Sequence, residues 1–377
     1  MALAQTSDVM AKVASRVFTR ALCGYGATKS LAVEQGTLRA GGKYGGGRHS
    51  TSGVTATVFG ATGFLGRYIV NELGKIGSQV IVPYRCTEQG TAHLRVMGDL
   101  GQIVMDPFDV NDPESIKKYV QDSNVVINLI GKDRQTWKYS FEKVNIEIAE
   151  TIAKAAKEAG VERFYHMSCV GAAPDATAKK FRTRYEGEQA VKAAFPEATI
   201  FRMTPMVGVE DRLFNSYAFM TRRMPYLPLY DGGASKMQPV WVMDVVKAFI
   251  ETLKTDDSKG KLYELGGPEV YTVKDLVTLV EKTIREPSGG LHVPSELGRI
   301  LDKPRSFIQS KIPFPVPTHT MLTADHIDEL QSDLVVDESA LGFESLGIEP
   351  SRVDQGVPIE HVRFWRSGGY DFGSTFE

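Results

Sequence analysis

A glycine-rich turn, set between a strand pattern and a helix pattern, limits this chain to few folds. Residues 54–60 (VTATVFG) are β-branched and alternating, which predicts a strand, and residues 68–73 predict a helix. Between them stand Gly60, Gly63 and Gly66. In such a unit the first glycine permits the tight turn, the second lets a pyrophosphate approach, and the third lets helix pack on strand. We therefore predict a dinucleotide-binding unit; the alternative is a turn that serves only the fold.

The following 140 residues continue the pattern of strands alternating with helices. Further strand patterns occupy residues 79–84 (QVIVPY), 102–105 (QIVM), 124–130 (NVVINLI), 163–168 (RFYHMS) and 199–203 (TIFRM). Residues 141–159 form an amphipathic helix pattern, and residues 124–130 are apolar throughout, as a buried parallel strand should be. The fold class is thus α/β, with a Rossmann-type, doubly wound parallel sheet.

The end of the second strand discriminates between cofactors. An acidic residue there bonds the ribose 2′-hydroxyl of NAD, whereas an arginine accommodates a 2′-phosphate. The residue here is Arg85, and a guanidinium meets a phosphate with paired charge-assisted hydrogen bonds. The sequence predicts NADP(H), with an arginine on a surface loop as the alternative.

The spacing Gly-x-x-Gly-x-x-Gly, with Thr62 inside it, resembles the extended and atypical branches of the short-chain dehydrogenase/reductase superfamily. The resemblance implies that Asp109, after the third strand, contacts the adenine. Reductases of that superfamily use a Tyr-x-x-x-Lys pair on the helix after the fifth strand and a serine at that strand's end. Ser168 occupies the serine position.

The tyrosine and lysine of this pair are replaced. Aligning Gly187-Glu188 with the end of the superfamily's motif puts Lys180 at the tyrosine position and Arg184 at the lysine position. An ammonium is a poor proton donor to a carbonyl, while an arginine can still hold ribose or phosphate. Another register offers Tyr185, but its i+4 neighbour is Gln189, which cannot lower a phenol's pKa by charge. We therefore expect no catalytic residues, and we expect the Ser168 hydroxyl to form a hydrogen bond with the backbone.

Composition excludes several other classes. The 377 residues suit two domains or one large domain with an extension, and no stretch approaches about 18 consecutive apolar residues. A net charge of −2 gives no electrostatic case for nucleic acid. Cys23, Cys86 and Cys169 are too few and too scattered for a disulfide framework or a metal cluster, so we expect free, buried thiols and no metal.

Residues 1–52 differ from the rest of the chain. They carry seven lysines and arginines against two acidic residues, and apolar residues recur at roughly helical spacing. A basic, amphipathic leader poor in acids predicts a transit peptide, with a disordered cytosolic tail as the alternative. The early Arg16 and Arg20 favour mitochondrion over chloroplast. A glycine-rich link then leads to a folded chain from about Gly53.

The remaining chain should complete the fold and then depart from it. We expect residues 53–208 to form the NADP(H)-binding domain, 209–286 a smaller α/β lobe, and 287–377 a proline-rich docking segment with a C-terminal arm. Residues 287–318 mix six prolines with apolar and basic residues. That composition suits a surface that contacts protein or lipid, or an irregular segment packed on its own core.

Several of these segments together resemble one family, the short-chain-dehydrogenase-like accessory subunits of mitochondrial respiratory complex I. The resemblance covers about residues 53–372 and rests on Gly60–Gly66, Tyr84-Arg85, residues 128–131, residues 208–212 and the tail; the ending at residues 370–375 looks like the plant and green-algal form. The resemblance implies that the protein binds NADPH tightly and does not turn it over. It also implies a position on the matrix side of the inner membrane, near the junction of the matrix and membrane arms. Partners would be other complex I subunits, with possible lipid contact through residues 287–318 and no nucleic acid.

The resemblance and the motif together give one set of cofactor contacts. The residues are Gly60, Thr62, Gly63, Phe64, Leu65, Arg85, Asp109, Leu129, Ile130, Gly131, Ser168 and Arg184. Two rival functions stay open: an active NADPH-dependent reductase or isomerase using Tyr185 or Ser168, and a chloroplast RNA-binding or assembly protein on the same fold. The near-neutral charge argues against the second rival.

Overall fold

A seven-stranded parallel sheet forms the centre of the computed structural model, which describes residues 52–136, 138–300, 302 and 324–367. The strand order is β11-β6-β5-β4-β1-β2-β3, and every neighbouring pair is parallel. The strands are β1 (Thr55–Phe59), β2 (Gln79–Tyr84), β3 (Ile103–Pro107), β4 (Val125–Asn128), β5 (Arg163–Cys169), β6 (Thr199–Met203) and β11 (Leu262–Leu265). The doubly wound fold expected from the sequence is confirmed.

Helices cover both faces of this sheet and build the smaller lobe. They are α1 (Phe64–Lys75), α2 (Glu88–Arg95), α3 (Pro113–Val120), α4 (Ile148–Glu158), α5 (Lys179–Ala194), α6 (Leu213–Arg223), α7 (Val242–Lys254), α8 (Val273–Ile284), α9 (Ala324–Glu329) and α10 (Val357–Glu360). A π-helical turn, Lys143–Glu147, precedes α4, so the single helix predicted over 141–159 has two parts. Within the described residues, no helix is both long and apolar enough to cross a bilayer.

Three apolar clusters hold these layers together. One packs α1 and α7 against one side of the sheet through residues such as Ile69, Val246 and Phe249. A second packs α4 against the other side, where Ala149, Ala153 and Ala156 are buried. The third lies in the smaller lobe between α6, α8 and the C-terminal residues. The apolar face predicted for this helix therefore packs on the sheet. Its side chains are small, so the helix can lie close to the strands.

The smaller lobe contains two elements that the sequence analysis missed. β8 (Tyr226–Tyr230) and β13 (Gly289–Val293) pair in parallel, and β13 lies in the proline-rich segment that was expected to be a docking surface or irregular chain. Pro228 is tolerated in β8 because β13 is the only strand that pairs with β8 among the described residues, so one edge of β8 carries no ladder hydrogen bonds. The short pairs β7 (Met206–Val207) with β10 (Val240–Trp241), and β9 (Lys236–Met237) with β12 (Tyr271–Thr272), complete the lobe.

Three smaller expectations need correction or completion. In the sequence, Asp244 directly precedes the mainly apolar run 245–250, a position typical of an N-cap residue. In the structure it lies instead within the first turn of α7, fully buried, and accepts hydrogen bonds from Lys247 and from the backbone N–H of Ser351. Cys86 is free but exposed, and Cys169 is half-buried. The leader through Thr51, residues 303–318 of the proline-rich segment and the arm from Gly368 lie outside the described residues.

Candidate functional site

The glycine turn after β1 brings three backbone segments together. Gly60 has a φ of +82°, and a Cβ on it would lie 3.0 Å from the carbonyl carbon of Leu129. A Cβ on Gly66 would lie 2.6 Å from Cα of Ala61, where α1 rests on the end of β1. The tight turn and the close helix packing predicted for the first and third glycines are therefore present, since any side chain would clash or strain the backbone.

The N-terminus of α1 opens at this turn. Gly63 is the N-cap residue in an extended conformation, and no side-chain hydrogen bond caps the helix. Its own N–H donates to the carbonyl oxygen of Gly60, at 3.0 Å. A helix start without a capping side chain leaves N–H groups and a partial positive charge to meet an anion.

A cleft of about 730 Å³, including the solvent at its mouth, runs past this helix start along the carboxyl ends of β1, β2 and β4. Seven of the predicted cofactor residues line it: Gly60, Thr62, Gly63, Arg85, Leu129, Ile130 and Gly131. The other lining residues are Pro83, Tyr84, Phe108, Val110, Lys132, Tyr139, Val144 and Ile148. The walls are mainly apolar with a few charged groups, which is typical of a nucleotide-binding cleft.

Cations gather around one aromatic ring of the cleft. The guanidinium carbon of Arg85 lies 4.9 Å from the ring centre of Tyr139, and the Lys132 ammonium lies 5.2 Å from it. Lys138 and Lys143 each approach the same ring at 5.7 Å. Arg85 therefore belongs to a group of four cations, with the π face of Tyr139 as their common partner.

The titration behaviour of this group follows from its crowding. Burial, together with the charges of Arg85 and Arg134, lowers the pKa of Lys132 to about 8. Burial would raise the pKa of Tyr139, but hydrogen bonds from Arg85 and Asn111 and the nearby positive charges outweigh it and lower that pKa. An anionic ligand would relieve the repulsion among these cations, so the cleft favours a phosphate at this end.

Three predicted residues near the turn do not line the cleft. Phe64 packs edge-on against Tyr68, with ring centres 5.6 Å apart, and Leu65 is buried in the core. Asp109 is exposed and accepts hydrogen bonds from the backbone N–H and the side chain of Asn111, which lower its pKa.

At the end of β5, Ser168 and His166 are buried. The Ser168 hydroxyl has no hydrogen-bond partner among the described residues, so the expectation that it satisfies backbone finds no support. Asn128 is 3.2 Å from Nδ1 of His166, and burial together with the Arg184 charge lowers the pKa of His166 to about 3. Burial raises the pKa of the Cys169 thiol. A neutral imidazole and a protonated thiol are not an activated nucleophile pair.

Lys180, at the second residue of α5, lies in a network of charges. Its ammonium is 3.0 Å from Oε1 of Glu329 and 3.4 Å from Oδ1 of Asp133, and Arg212 pairs with the same aspartate. Burial would raise the pKa of Glu329, but the charges of Lys180 and His326 lower it to about 2. The side chain at the predicted tyrosine position is therefore held between carboxylates, one of them from α9 near the C-terminus.

Arg184 lies one turn further along α5 and points towards the cleft. Its guanidinium donates to the carbonyl oxygen of Met167 at 2.9 Å and lies against Gly131, so a Cβ on Gly131 would displace the guanidinium. The helix is fixed by Gly187, which packs against the carbonyl oxygen of Asn145, and by Glu188, fully buried in an ion pair with Arg202 at 2.8 Å. Arg184 is thus positioned beside a residue that lines the cleft.

Comparisons with known proteins agree with this geometry. The model of the NAD dependent epimerase/dehydratase family matches residues 56–266. The chain is 45% identical over 332 residues to the mitochondrial NADH dehydrogenase [ubiquinone] 1 alpha subcomplex subunit 9 of Arabidopsis thaliana, covering 88% of this chain and 82% of that protein. The chain belongs to the NAD dependent epimerase/dehydratase family and, within it, to the alpha subcomplex subunit 9 proteins. The resemblance seen in the sequence is confirmed.

Members of this family from other kingdoms are nearly as similar. The rat subunit 9 is 43% identical, covering 82% of this chain and 80% of that protein. The 40 kDa subunit of the NADH-ubiquinone oxidoreductase of Neurospora crassa is 39% identical, and the match covers 86% of this chain and 83% of that protein.

Solved structures give the fold alone. An epimerase from Methanothermobacter thermautotrophicus has a TM-score of 0.63 at 15% identity, covering 88% of this chain and 96% of that one. An NADPH-dependent quinone oxidoreductase from Escherichia coli, solved with NADPH, has a TM-score of 0.62 at 18% identity, covering 81% and 98%.

Sequence reasoning missed two parts of the site. Lys132 and Tyr139 follow β4, where the concentration of basic residues at 132, 134, 138 and 143 was the available signal. Glu329 stands 149 residues from Lys180, and nothing in the local sequence of either residue indicates the pairing.

Proposed function

We propose that this protein is a non-catalytic accessory subunit of mitochondrial complex I that holds NADPH tightly. The observation that carries the proposal is a contrast within one site. The cleft keeps glycines and cations suited to a phosphorylated dinucleotide, whereas the residue at the tyrosine position is an ammonium already paired with carboxylates.

The residues of the cleft fit the nucleotide. The pyrophosphate would meet the turn Gly60–Leu65 and the uncapped start of α1, with Thr62 and Phe64 within that turn. The 2′-phosphate would meet Arg85, with Lys132 as a second cation. Asp109 would contact the adenine side, while Leu129, Ile130, Gly131, Ser168 and Arg184 would surround the nicotinamide half. Because Gly60 and Gly131 line the cleft and have no side chains, their backbone can lie directly against the ligand.

Bound NADPH supplies a transferable hydride, but a carbonyl substrate also needs a proton. Lys180 holds its charge between Glu329 and Asp133, so it is a donor fixed to other groups. A positioned general acid typically contributes 10²–10⁴-fold, so its loss leaves little turnover. The nucleotide then acts as a structural ligand, stabilising the folded state by about 4 kcal/mol at a thousandfold excess over its Kd.

Assembly into complex I is inferred from the relatives, whose names describe mitochondrial NADH dehydrogenase subunits. Accordingly we propose a peripheral position on the matrix side of the inner membrane, near the junction of the matrix and membrane arms, with other complex I subunits as partners. Contact between residues 287–318 and lipid is part of the same proposal.

A tagged full-length chain, expressed in cells whose own copy is removed, tests this role. We expect the tag to co-migrate with NADH dehydrogenase activity on native gels, and the assembled enzyme to decline without the chain. A tag found only in free protein, with normal complex I in cells lacking the chain, would contradict the assembly role.

One observation favours a second candidate, an active NADPH-dependent reductase or isomerase. The Ser168 hydroxyl is buried and has no partner in the described chain, as a serine waiting for a substrate carbonyl would be. Turnover of NADPH by the isolated protein with small carbonyl compounds, abolished by Ser168→Ala, would establish this candidate instead.

A further inference from the structure

Five arginines converge on one surface of the smaller lobe, where the described chain ends. Arg222 and Arg223 end α6, Arg285 follows α8, and Arg363 and Arg366 belong to the 3-10 helix His361–Ser367. We call this surface the arginine face. Three separate stretches of chain therefore bring the same residue type to one place.

Direct contacts join the three elements. Arg366 donates from Nε to the carbonyl oxygen of Thr283 in α8, at 2.7 Å. Arg222 donates to the carbonyl oxygen of Trp365 at 2.6 Å, and the Arg223 guanidinium lies 4.7 Å from the ring centre of Phe219, which packs edge-on against Trp365.

The arginine face carries more positive than negative charge. Glu286 lies 2.8 Å from Arg222, and Glu360 lies 3.5 Å from Arg363, whereas neither Arg285 nor Arg366 has an acidic partner within the described residues. Desolvation and then the charges of Arg285 and Arg363 lower the pKa of Arg366, as expected where guanidinium groups repel one another. A carboxylate-bearing partner would complement this surface.

Two further features of the arginine face, one of its backbone and one of its surface, also favour a protein interface. Arg285 has a φ of +62° at the C-cap of α8, a left-handed position that usually holds glycine. Phe364 is 58% exposed, whereas its neighbours Val362 and Trp365 are buried. Exposed aromatic rings among arginines are the composition of protein interfaces.

We propose that the arginine face, with Phe364 beside it, docks an acidic segment of a partner protein. A lipid surface fits less well, because an interfacial helix needs a continuous apolar face. Here Ile359, Val362 and Trp365 are already buried in the lobe, leaving Val357 and Phe364 as the exposed apolar side chains of residues 357–366. Arginine forks also match carboxylates with paired hydrogen bonds. The inference rests on the proposed subunit role only in assuming that a partner exists.

Photo-crosslinking in cells tests the arginine face. Phe364→p-benzoylphenylalanine is introduced into the full chain, the cells are illuminated, and adducts are identified by mass spectrometry. We expect an adduct with a peptide of another protein that carries at least two acidic residues close to the attachment point. An adduct with lipid, an adduct with residues 368–377 of the same chain, or no adduct overturns the proposal.

Charge reversal supplies the second measurement. We expect Arg285→Glu with Arg363→Glu to reduce the adduct yield at least tenfold. Lys75→Glu with Lys254→Glu makes the same charge change at exposed positions elsewhere and should leave the yield within twofold. If the charge-reversed variant does not fold, Arg285→Gln with Arg363→Gln is measured in its place. An unchanged adduct yield in whichever of these two variants folds overturns the proposal.

The identity of the adduct separates this inference from the subunit role. An acidic peptide from a complex I subunit supports both. An acidic peptide from an unrelated protein supports docking at the arginine face and counts against the subunit role. Co-migration with complex I together with a lipid adduct supports the subunit role and overturns docking at the arginine face.

Discussion

The cofactor cleft and the cluster around Lys180 lie at the same carboxyl edge of the sheet, yet they hold their charges differently. In the cleft, Arg85 and Lys132 gather over Tyr139, and no carboxylate pairs with either of them in the described chain. Around Lys180, the ammonium is paired with Glu329 and Asp133. Cations without acidic partners are available to a ligand, whereas paired ones are already part of the fold.

We propose that this difference separates nucleotide binding from catalysis in this protein. Gripping a dinucleotide requires backbone geometry and positive charge, both of which the glycine turn and the cations supply. Moving a proton requires a group whose pKa and position are tuned to the reaction. A lysine fixed between carboxylates contributes to stability instead, so we expect substitutions in the two regions to affect different quantities.

The largest expected effect comes from filling the glycine turn. Gly60→Ala combines a φ of +82° with a Cβ 3.0 Å from the Leu129 carbonyl carbon. We therefore expect the free energy of unfolding to fall by about 2–5 kcal/mol and NADPH binding to be lost. Gly347→Ala is the matched control, with a φ of +66° and open space around the Cβ. Equal losses measured by urea unfolding would show that the close approach at Gly60 has no energetic weight.

Breaking the ion pair should affect stability more than binding. Lys180→Met leaves Glu329 largely buried without its partner, and we expect a loss of about 2–3 kcal/mol in the free energy of unfolding, with NADPH affinity little changed. Adding Glu329→Gln should recover part of that loss, which a double-mutant cycle measures. A wild-type stability in Lys180→Met would refute the structural role.

The same pair predicts a dependence on pH. The pKa of Glu329 is lowered to about 2 in the folded protein from an ordinary value of 4.5. Its ionised form therefore stabilises the fold above about pH 4.5, and this contribution disappears as the pH falls towards 2. The stability difference between wild type and Lys180→Met should shrink over that range.

Removing the guanidinium of the cleft should affect only the phosphorylated cofactor. For Arg85→Ala we expect NADPH affinity to fall about 10- to 70-fold, the equivalent of one hydrogen bond to a charged group. NADH affinity should change less than threefold, and Lys254→Ala should change neither. Equal losses for both nucleotides in equilibrium titrations would remove Arg85 from the 2′-phosphate site.

The smallest effect concerns Lys132. Its pKa of about 8 means that it loses its charge as the pH rises through that value, so the preference for NADPH over NADH should decrease about three- to tenfold between pH 7 and 9. Lys132→Met should remove most of this dependence. A preference that stays constant with pH in the wild type would mean that Lys132 does not face the phosphate.

Much of the fold could be predicted because local patterns determine it. β2 and β6 have the bounds that their apolar, β-branched runs predict. β8 was missed because Pro228 argues against a strand unless the partner is known. β13 was missed because its two glycines, Gly289 and Gly290, lie between Pro287 and Pro294. Pairing between residues some 60 positions apart leaves no local signal.

The site divides in the same way. Gly60, Gly66 and Arg85 could be assigned because a turn and a strand end fix their surroundings. The pairing of Lys180 with Glu329 depends on how α9 packs against α5, which is a property of the whole fold. The sequence alone placed Lys180 at the predicted tyrosine position, but it gave no sign of the carboxylates that pair with Lys180.

The central claim is that this protein retains a phosphorylated dinucleotide without consuming it. The most direct measurement is the nucleotide content of native protein, released by denaturation and identified by mass spectrometry, beside the rate of NADPH oxidation by the folded protein. We expect about one NADP(H) per chain and no oxidation above background. Absence of nucleotide, recovery of NAD(H) instead, or rapid oxidation of NADPH would contradict the account.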